Sequence, residues 1–194
     1  MKASQPDLFA PASGLPDGLQ YREELIGAAE EAALVQHIAA LPFAPFRFHG
    51  FEGKRRTVSF GWHYAFDGRG LHDAEPIPEF LLPLRERAAA FAGLDAPALE
   101  HVLVIEYGIG AGIGWHRDRS VFGDTIGVSL LSACPLRFRR RSAAGWERRS
   151  LMVEPRSVYL LRGPARSEWE HSIVPVSRLR YSVTFRTLAA QPHP

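Results

Sequence analysis

The residues best suited to chemistry lie in the second half of the chain. His116-Arg117-Asp118 sets an imidazole and a carboxylate two positions apart. On an extended chain, residues i and i+2 face the same side, so both side chains can reach one metal ion. His171 is far downstream. Two His and one Asp would leave three octahedral positions open, a ligand set suited to non-haem Fe(II) with room for a co-substrate and oxygen. His-x-Asp also arises by chance at turns and surfaces, so the motif needs company.

A second constellation supplies it. Arg180-Tyr181-Ser182-Val183-Thr184-Phe185-Arg186 alternates strictly. As a strand it points Arg180, Ser182, Thr184 and Arg186 one way and Tyr181, Val183 and Phe185 the other. Two arginines separated by roughly 20 Å of strand could lean inward and grip the two ends of a short dicarboxylate through charge-assisted forks. The competing reading is the polar face of an edge strand. Of the remaining histidines, His37 suits a helix surface, His63 lies in an aromatic segment, and His49, His72, His101 and His193 lack a carboxylate at ligand spacing.

Composition bounds the alternatives. The 194 residues, 46% hydrophobic and 23% charged, suit one soluble domain with a sizeable core. The lone Cys134 rules out an internal disulfide and multi-cysteine zinc or iron–sulfur centres, and fits a reducing compartment. No apolar run approaches the ~20 residues of a membrane helix, so no membrane partner is expected. Met1 to Gly18 has no secretory pattern, which with the free cysteine leads to an expectation of cytoplasmic residence. A net charge of +2 identifies no partner, but only Lys2 and Lys54 are lysines among the 23 basic residues. Arginine suits planar recognition of carboxylate or phosphate, although biased codon usage gives the same composition.

The elements that must position these residues follow from pattern. Residues 1–18, rich in Pro and Gly, are expected to be a flexible leader. Gln20 to Ile26 suits a short strand. Ala28 to Leu41 suits an amphipathic helix ended by Pro42 and Pro45. Arg47 to Phe51 and Arg55 to Phe66 read as strands, Asp67 to Pro78 as a loop, and Glu79 to Gly93 as a second helix capped by Gly93. From Glu100 onward, short strands and turns alternate, as in a sandwich, barrel or jelly roll. The expectation is a mainly β (α+β) chain forming one domain over 19–190. Its helical, aromatic N-terminal part (19–99) would pack on a β core (100–188).

In order and separation, His116-x-Asp118, His171 and Arg180-x5-Arg186 resemble the signature of the AlkB family of Fe(II)/2-oxoglutarate-dependent dioxygenases. IEYGIGAGIGWHRD, SEWEHSIVPV and RYSVTFR are similar to the family's corresponding segments. The similarity covers about residues 100–188 and is looser in RRTVSFGWHYAF. The resemblance implies a double-stranded β-helix, with Fe(II) on the catalytic residues His116, Asp118 and His171. It implies 2-oxoglutarate and O2 as co-substrates. Arg180 would pair with the distal carboxylate of 2-oxoglutarate. Arg186 would lie near the carboxylate that chelates iron, and Tyr107 would hydrogen-bond the co-substrate. Three positions depart from the family pattern. Ile105 and Ser182 replace frequent asparagines, Ser182 partly substituting. Ser120 stands where some DNA-repair members have a carboxylate.

The implied reaction is oxidative demethylation of N-alkylated bases in DNA or RNA by a monomer. Phe60, Trp62 and Tyr64 alternate and could stack on a flipped base, or could be core. Arg137, Arg139, Arg140 and Arg141, with Arg148 and Arg149 across a turn, form a basic hairpin. It could track phosphates or guard a solvated edge strand. The substrate-contact candidates are Trp62, Tyr64, Ser120, Arg139 and Arg141. Two alternatives stay open: an oxygenase of protein or small-molecule amines, motivated by Ser120, and a non-catalytic metal-binding jelly roll. Zinc hydrolysis by the same triad would leave the arginine strand without a purpose.

Overall fold

A computed structural model describes residues 14–48, 51–65, 70–143 and 145–189. The expected leader therefore lies mostly outside the described residues.

In chain order the elements begin with β1 (Leu19–Arg22), α1 (Ala28–Ala39), β2 (Ala44–Phe48), β3 (Phe51–Phe60), β4 (Trp62–Ala65), β5 (Gly70–Asp73) and α2 (Leu82–Ala92). They continue with β6 (His101–Tyr107), β7 (Ile113–His116), β8 (Phe122–Leu130), β9 (Cys134–Ser142), β10 (Gly145–Val153), β11 (Val158–Leu161), α3 (Gly163–Ser167), β12 (Glu170–Ile173) and β13 (Arg180–Leu188). Seven strands form one sheet in the order β1-β11-β8-β13-β6-β3-β2, and four form a second in the order β10-β9-β12-β7. Every pairing is antiparallel. Two such sheets face to face are the expected jelly-roll architecture. The part before residue 100 is not merely packed on it, since β1 joins one edge of the large sheet and β2 and β3 extend the other.

Strand parity divides the core in two. On the outer face of the large sheet, Tyr181, Val183 and Phe185 of β13 join Val102, Val104, Ile126, Val128 and Leu160. This surface is covered by Leu34 and Ile38 of α1 and by Leu84, Ala88 and Ala92 of α2. Helices with one apolar stripe need such a face. The opposite residues of β13 point between the sheets, where Ile105, Tyr107, Leu136, Phe138, Tyr159 and Trp169 form a second cluster. The strict alternation of β13 is therefore real: its arginines enter the interior while its aromatics hold the helices.

Local differences have local causes. The expected strand over 55–66 breaks at Gly61, which has φ +74° and whose added Cβ would collide with the Glu100 carbonyl. Phe60, at the end of β3 and on the same face as Val58, points into the helix-covered core, and Trp62 and Tyr64 continue on the separate β4–β5 hairpin. Phe60 thus leaves the aromatic stripe expected from sequence. The expected loop over 67–78 contains β5, and the second helix opens as a 3-10 turn at Glu79–Leu81 before α2 starts at Leu82, with Pro83 in its first turn. Gly93 closes α2 in the left-handed conformation, as expected.

One contact in the interior is sharply specified. Gly127 of β8 lies opposite Tyr159 of β11, and the phenol ring lies where a Cβ of residue 127 would be. Gly127→Ala should destabilise the protein by about 1–3 kcal/mol, as expected for overpacking, measured by urea unfolding. Adding Tyr159→Leu should recover more than half of that loss. Strictly additive losses would show that the two side chains do not compete for one space.

Candidate active site

The small sheet brings the distant histidines together. β7 and β12 pair with His171 directly opposite His116, and the two rings are 4.3 Å apart between centroids. Asp118 follows β7 by two residues. Its Oδ1 lies 3.9 Å from the Nε2 of both histidines, and one ligand atom from each residue falls within 4.8 Å of the others. The Nδ1 of His116 is engaged with the Gly114 carbonyl at 2.9 Å, which leaves Nε2 free for a metal.

The electrostatics suit a cation. Burial, followed by the neighbouring His116, pushes His171 down to about 3. Burial likewise lowers His116, against the pull of Asp118. Both imidazoles are neutral at physiological pH and have lone pairs to offer. Burial alone would raise the Asp118 carboxyl. Arg186, aided by Arg166, outweighs it and keeps the group ionised. Two neutral nitrogens and one carboxylate oxygen make a donor set that fits Fe(II).

Arg186 reaches Asp118 from β13, with Nε 3.1 Å from Oδ2 and Nη2 3.4 Å from Oδ1. Thr125 donates to the same Oδ2 at 2.8 Å. Behind Arg186 is the buried His101, whose Nδ1 is 3.3 Å from Nη1. Arg166 of α3 binds the carbonyls of Asp118, Arg119, Phe122 and Gly123, which ties down the loop that carries the carboxylate. Sequence reading missed Thr125, His101 and Arg166. Only a lone arginine five residues before His171 marked the last of them.

At the other end of β13, Arg180 is 1% exposed. Its Nε donates to Ser129 Oγ at 3.1 Å, its guanidinium lies 5.1 Å from the Tyr107 ring centroid, and its Nη1 is buried without a partner. It has no carboxylate partner among the described residues. A buried cation with a donor left over is strongly disfavoured unless an anion completes it, so the residues present fit a carboxylate ligand such as an end of 2-oxoglutarate. Tyr107 lies directly opposite Arg180 in the β6–β13 register, and Ser182 is buried opposite Ile105. Arg55, on the same side of β3 as these groups, is largely buried. Its charged form is disfavoured by that burial, and it lies 3.7 Å from the Phe46 ring.

The substrate candidates are distributed unevenly. Tyr64 lies beneath the guanidinium of Arg119, 5.2 Å from its ring centroid. The β4–β5 hairpin therefore reaches the loop just after the metal cluster, and Trp62 shares its face with Tyr64. Ser120 is exposed in that loop. The six hairpin arginines, expected to act together, are split by strand parity. Arg140 is ion-paired with Glu147 and Glu168, and Arg149 with Glu147. Arg139 is paired with Glu170. Arg139 and Arg141 both lie over Trp146, on the outside of the small sheet.

Comparison with known proteins agrees with this geometry. Residues 23–186 match the model of the 2OG-Fe(II) oxygenase superfamily. An Arabidopsis thaliana protein named as an alkylated DNA repair protein, ALKBH8 homolog, is 28% identical over 180 residues, covering 80% of this chain and 50% of its own length. A Danio rerio protein named as a probable RNA/DNA demethylase, ALKBH6, is 29% identical over 111 residues, covering 57% of this chain and 45% of its own length. The chain thus spans about half the length of the curated relatives it matches. Among solved structures, OsALKBH1 superimposes with TM-score 0.66 at 14% identity, covering 88% of this chain and 96% of that one. A Pseudomonas putida prolyl-4-hydroxylase gives 0.60 at 16% identity, covering 89% and 93%. These two show the fold. The chain belongs to the 2OG-Fe(II) oxygenase superfamily, with Fe(II), 2-oxoglutarate and O2 as its cofactors, and it is similar to proteins named as ALKBH homologues.

Proposed function

We propose that the chain oxidatively removes N-alkyl groups from nucleic-acid bases. The observation that carries the reading is the pairing of two features between the same two sheets: the His116–Asp118–His171 cluster and the buried, unsatisfied Arg180. A metal-binding module or a hydrolase would have no use for the second. The nucleic-acid activities for which the relatives are named support the substrate class.

In this reading His116, Asp118 and His171 hold the iron. Arg180 anchors the distal carboxylate of 2-oxoglutarate, helped by Tyr107 and Ser182. Arg186 orients Asp118 and adds positive charge near the iron-proximal carboxylate. When bound, iron, 2-oxoglutarate and O2 supply the oxidation of an N-alkyl carbon, yielding succinate, CO2 and the alkyl group as an aldehyde. The chain's part is to bind, orient and exclude water. Trp62 and Tyr64 offer ring faces to the target base beside Ser120, at the mouth.

His171→Ala should abolish both formaldehyde release and the visible charge-transfer band formed anaerobically with Fe(II) and 2-oxoglutarate. A retained band would remove His171 from the metal site. Truncating one member of a buried charge pair costs about 2–5 kcal/mol, so Arg180→Gln should weaken 2-oxoglutarate binding about thirtyfold or more. The loss is read from a titration of that band, and an unchanged midpoint would place the co-substrate elsewhere. Base stacking is worth about 1–3 kcal/mol. Trp62→Ala should therefore reduce formaldehyde release from methylated oligonucleotides about tenfold while sparing substrate-free succinate production. Equal losses would make Trp62 structural, and turnover of methylated peptides but not oligonucleotides would overturn the substrate class.

A further inference from the structure

The small sheet has two faces, and the proposed reaction uses only one. His116 and His171 point inward. Their neighbours Trp115, Glu170 and Ser172 point outward. By register, Glu170 lies opposite Arg139 and Ser172 opposite Arg137, while Trp146 lies opposite Arg141 and Arg148 opposite Arg139. The outer face is consequently a ladder of arginines and indoles. Arg137 and Arg139 lie 5.0 and 4.6 Å from the Trp115 ring centroid, and Arg139 and Arg141 lie 4.3 and 4.6 Å from that of Trp146.

Charge on this face is one-sided. Glu170 neutralises Arg139, whereas Arg137, Arg141 and Arg148 have no carboxylate partner among the described residues. The contrast with the inner parity is direct. There, Arg140 and Arg149 are matched by Glu147 and Glu168. A guanidinium lying on an indole is already oriented, and its in-plane N–H groups still point outward toward any acceptor. A surface that combines fixed guanidinium forks with ring faces suits a chain of alternating phosphates and bases. An acidic polypeptide would use the charges but bring no planar bases to stack on the guanidinium–indole pairs.

The face also connects with the mouth. Trp115 immediately precedes His116 on β7, which is the edge strand of the small sheet. Arg119, over Tyr64, lies four residues further along. A strand lying across Trp115 therefore needs only to round that edge to bring a base to Trp62, Tyr64 and the metal cluster.

We propose that the outer face of the β10-β9-β12-β7 sheet is a platform for single-stranded nucleic acid. It would hold the strand through Arg137, Arg141 and Arg148 and through the rings of Trp115 and Trp146, while a separate nucleotide enters the active site. The proposal rests on the nucleic-acid reading of the activity and adds where the rest of the strand lies.

The test measures anisotropy of a fluorescein-labelled single-stranded 20-mer with the full chain across a range of salt concentrations. In Arg137→Gln/Arg141→Gln/Arg148→Gln, affinity at low salt should fall at least tenfold. With the three guanidinium charges removed from the phosphates, the slope of log K against log salt should flatten by about 2. Substrate-free succinate production should be unchanged, which shows that the fold and the iron site are intact. Trp146→Ala alone should weaken binding severalfold and leave the slope unaltered. If the wild type binds the 20-mer and the triple variant binds it identically, the strand lies elsewhere: the platform is overturned and the nucleic-acid reading survives. If the wild type binds no oligonucleotide at low salt, both fall. Poly-Glu binding as tightly as the 20-mer, with the same dependence on these arginines, would also overturn the platform by making the face a generic anion surface.

Discussion

The structure depends on keeping one buried carboxylate charged. Asp118 and Arg186 have side chains only 7% and 9% exposed, and neither is tolerable there without the other. Their ion pair joins the loop after β7 to the last strand of the large sheet, across 68 residues of sequence. It therefore fixes one sheet against the other at the end where the two histidines meet. The surrounding groups serve the same end. Thr125 completes the carboxylate's hydrogen bonding, His101 backs the guanidinium, and Arg166 holds four carbonyls of the loop.

The other end of β13 is built on the opposite principle. Arg180 is equally buried but left incomplete, with one donor unpaired. One strand thus presents a satisfied arginine beside the metal ligands and an unsatisfied one at a distance from them. In the proposed reading a keto diacid is recognised at both ends, one near the metal and one away from it, and a single strand of alternating parity carries both arginines. Burial is what gives these contacts their strength, since charges in a water-poor cavity interact far more strongly than at the surface.

Much of this was legible because a strand is a period-two object. Arg180, Ser182, Thr184 and Arg186 could be put on one face from their spacing alone, and the structure buries that face between the sheets. The link between His116 and His171 was not legible from spacing. It depends on which strands pair, and it came from resemblance to a family. Phe60, left open between stacking and core, falls to the core, while the glycine at position 61 breaks the strand and turns the next aromatics onto a separate hairpin. His101, Thr125 and Arg166 are single residues whose partners are carbonyls, a carboxylate and a guanidinium supplied from elsewhere in the chain, so no local pattern marks them. The basic hairpin held more information than its total charge suggested. The same alternation that sorts β13 sorts Arg137, Arg139 and Arg141 from Arg140, and with them the poorly neutralised face from the matched one.

The most direct measurement of the central claim is an anaerobic crystal structure with Mn(II) in place of iron and N-oxalylglycine in place of 2-oxoglutarate. An anomalous peak should lie bonded to the Nε2 atoms of His116 and His171 and to an oxygen of Asp118, with the distal carboxylate of the analogue on Arg180. A peak that engages only one or two of these side chains, or an analogue whose carboxylate avoids Arg180, would contradict it.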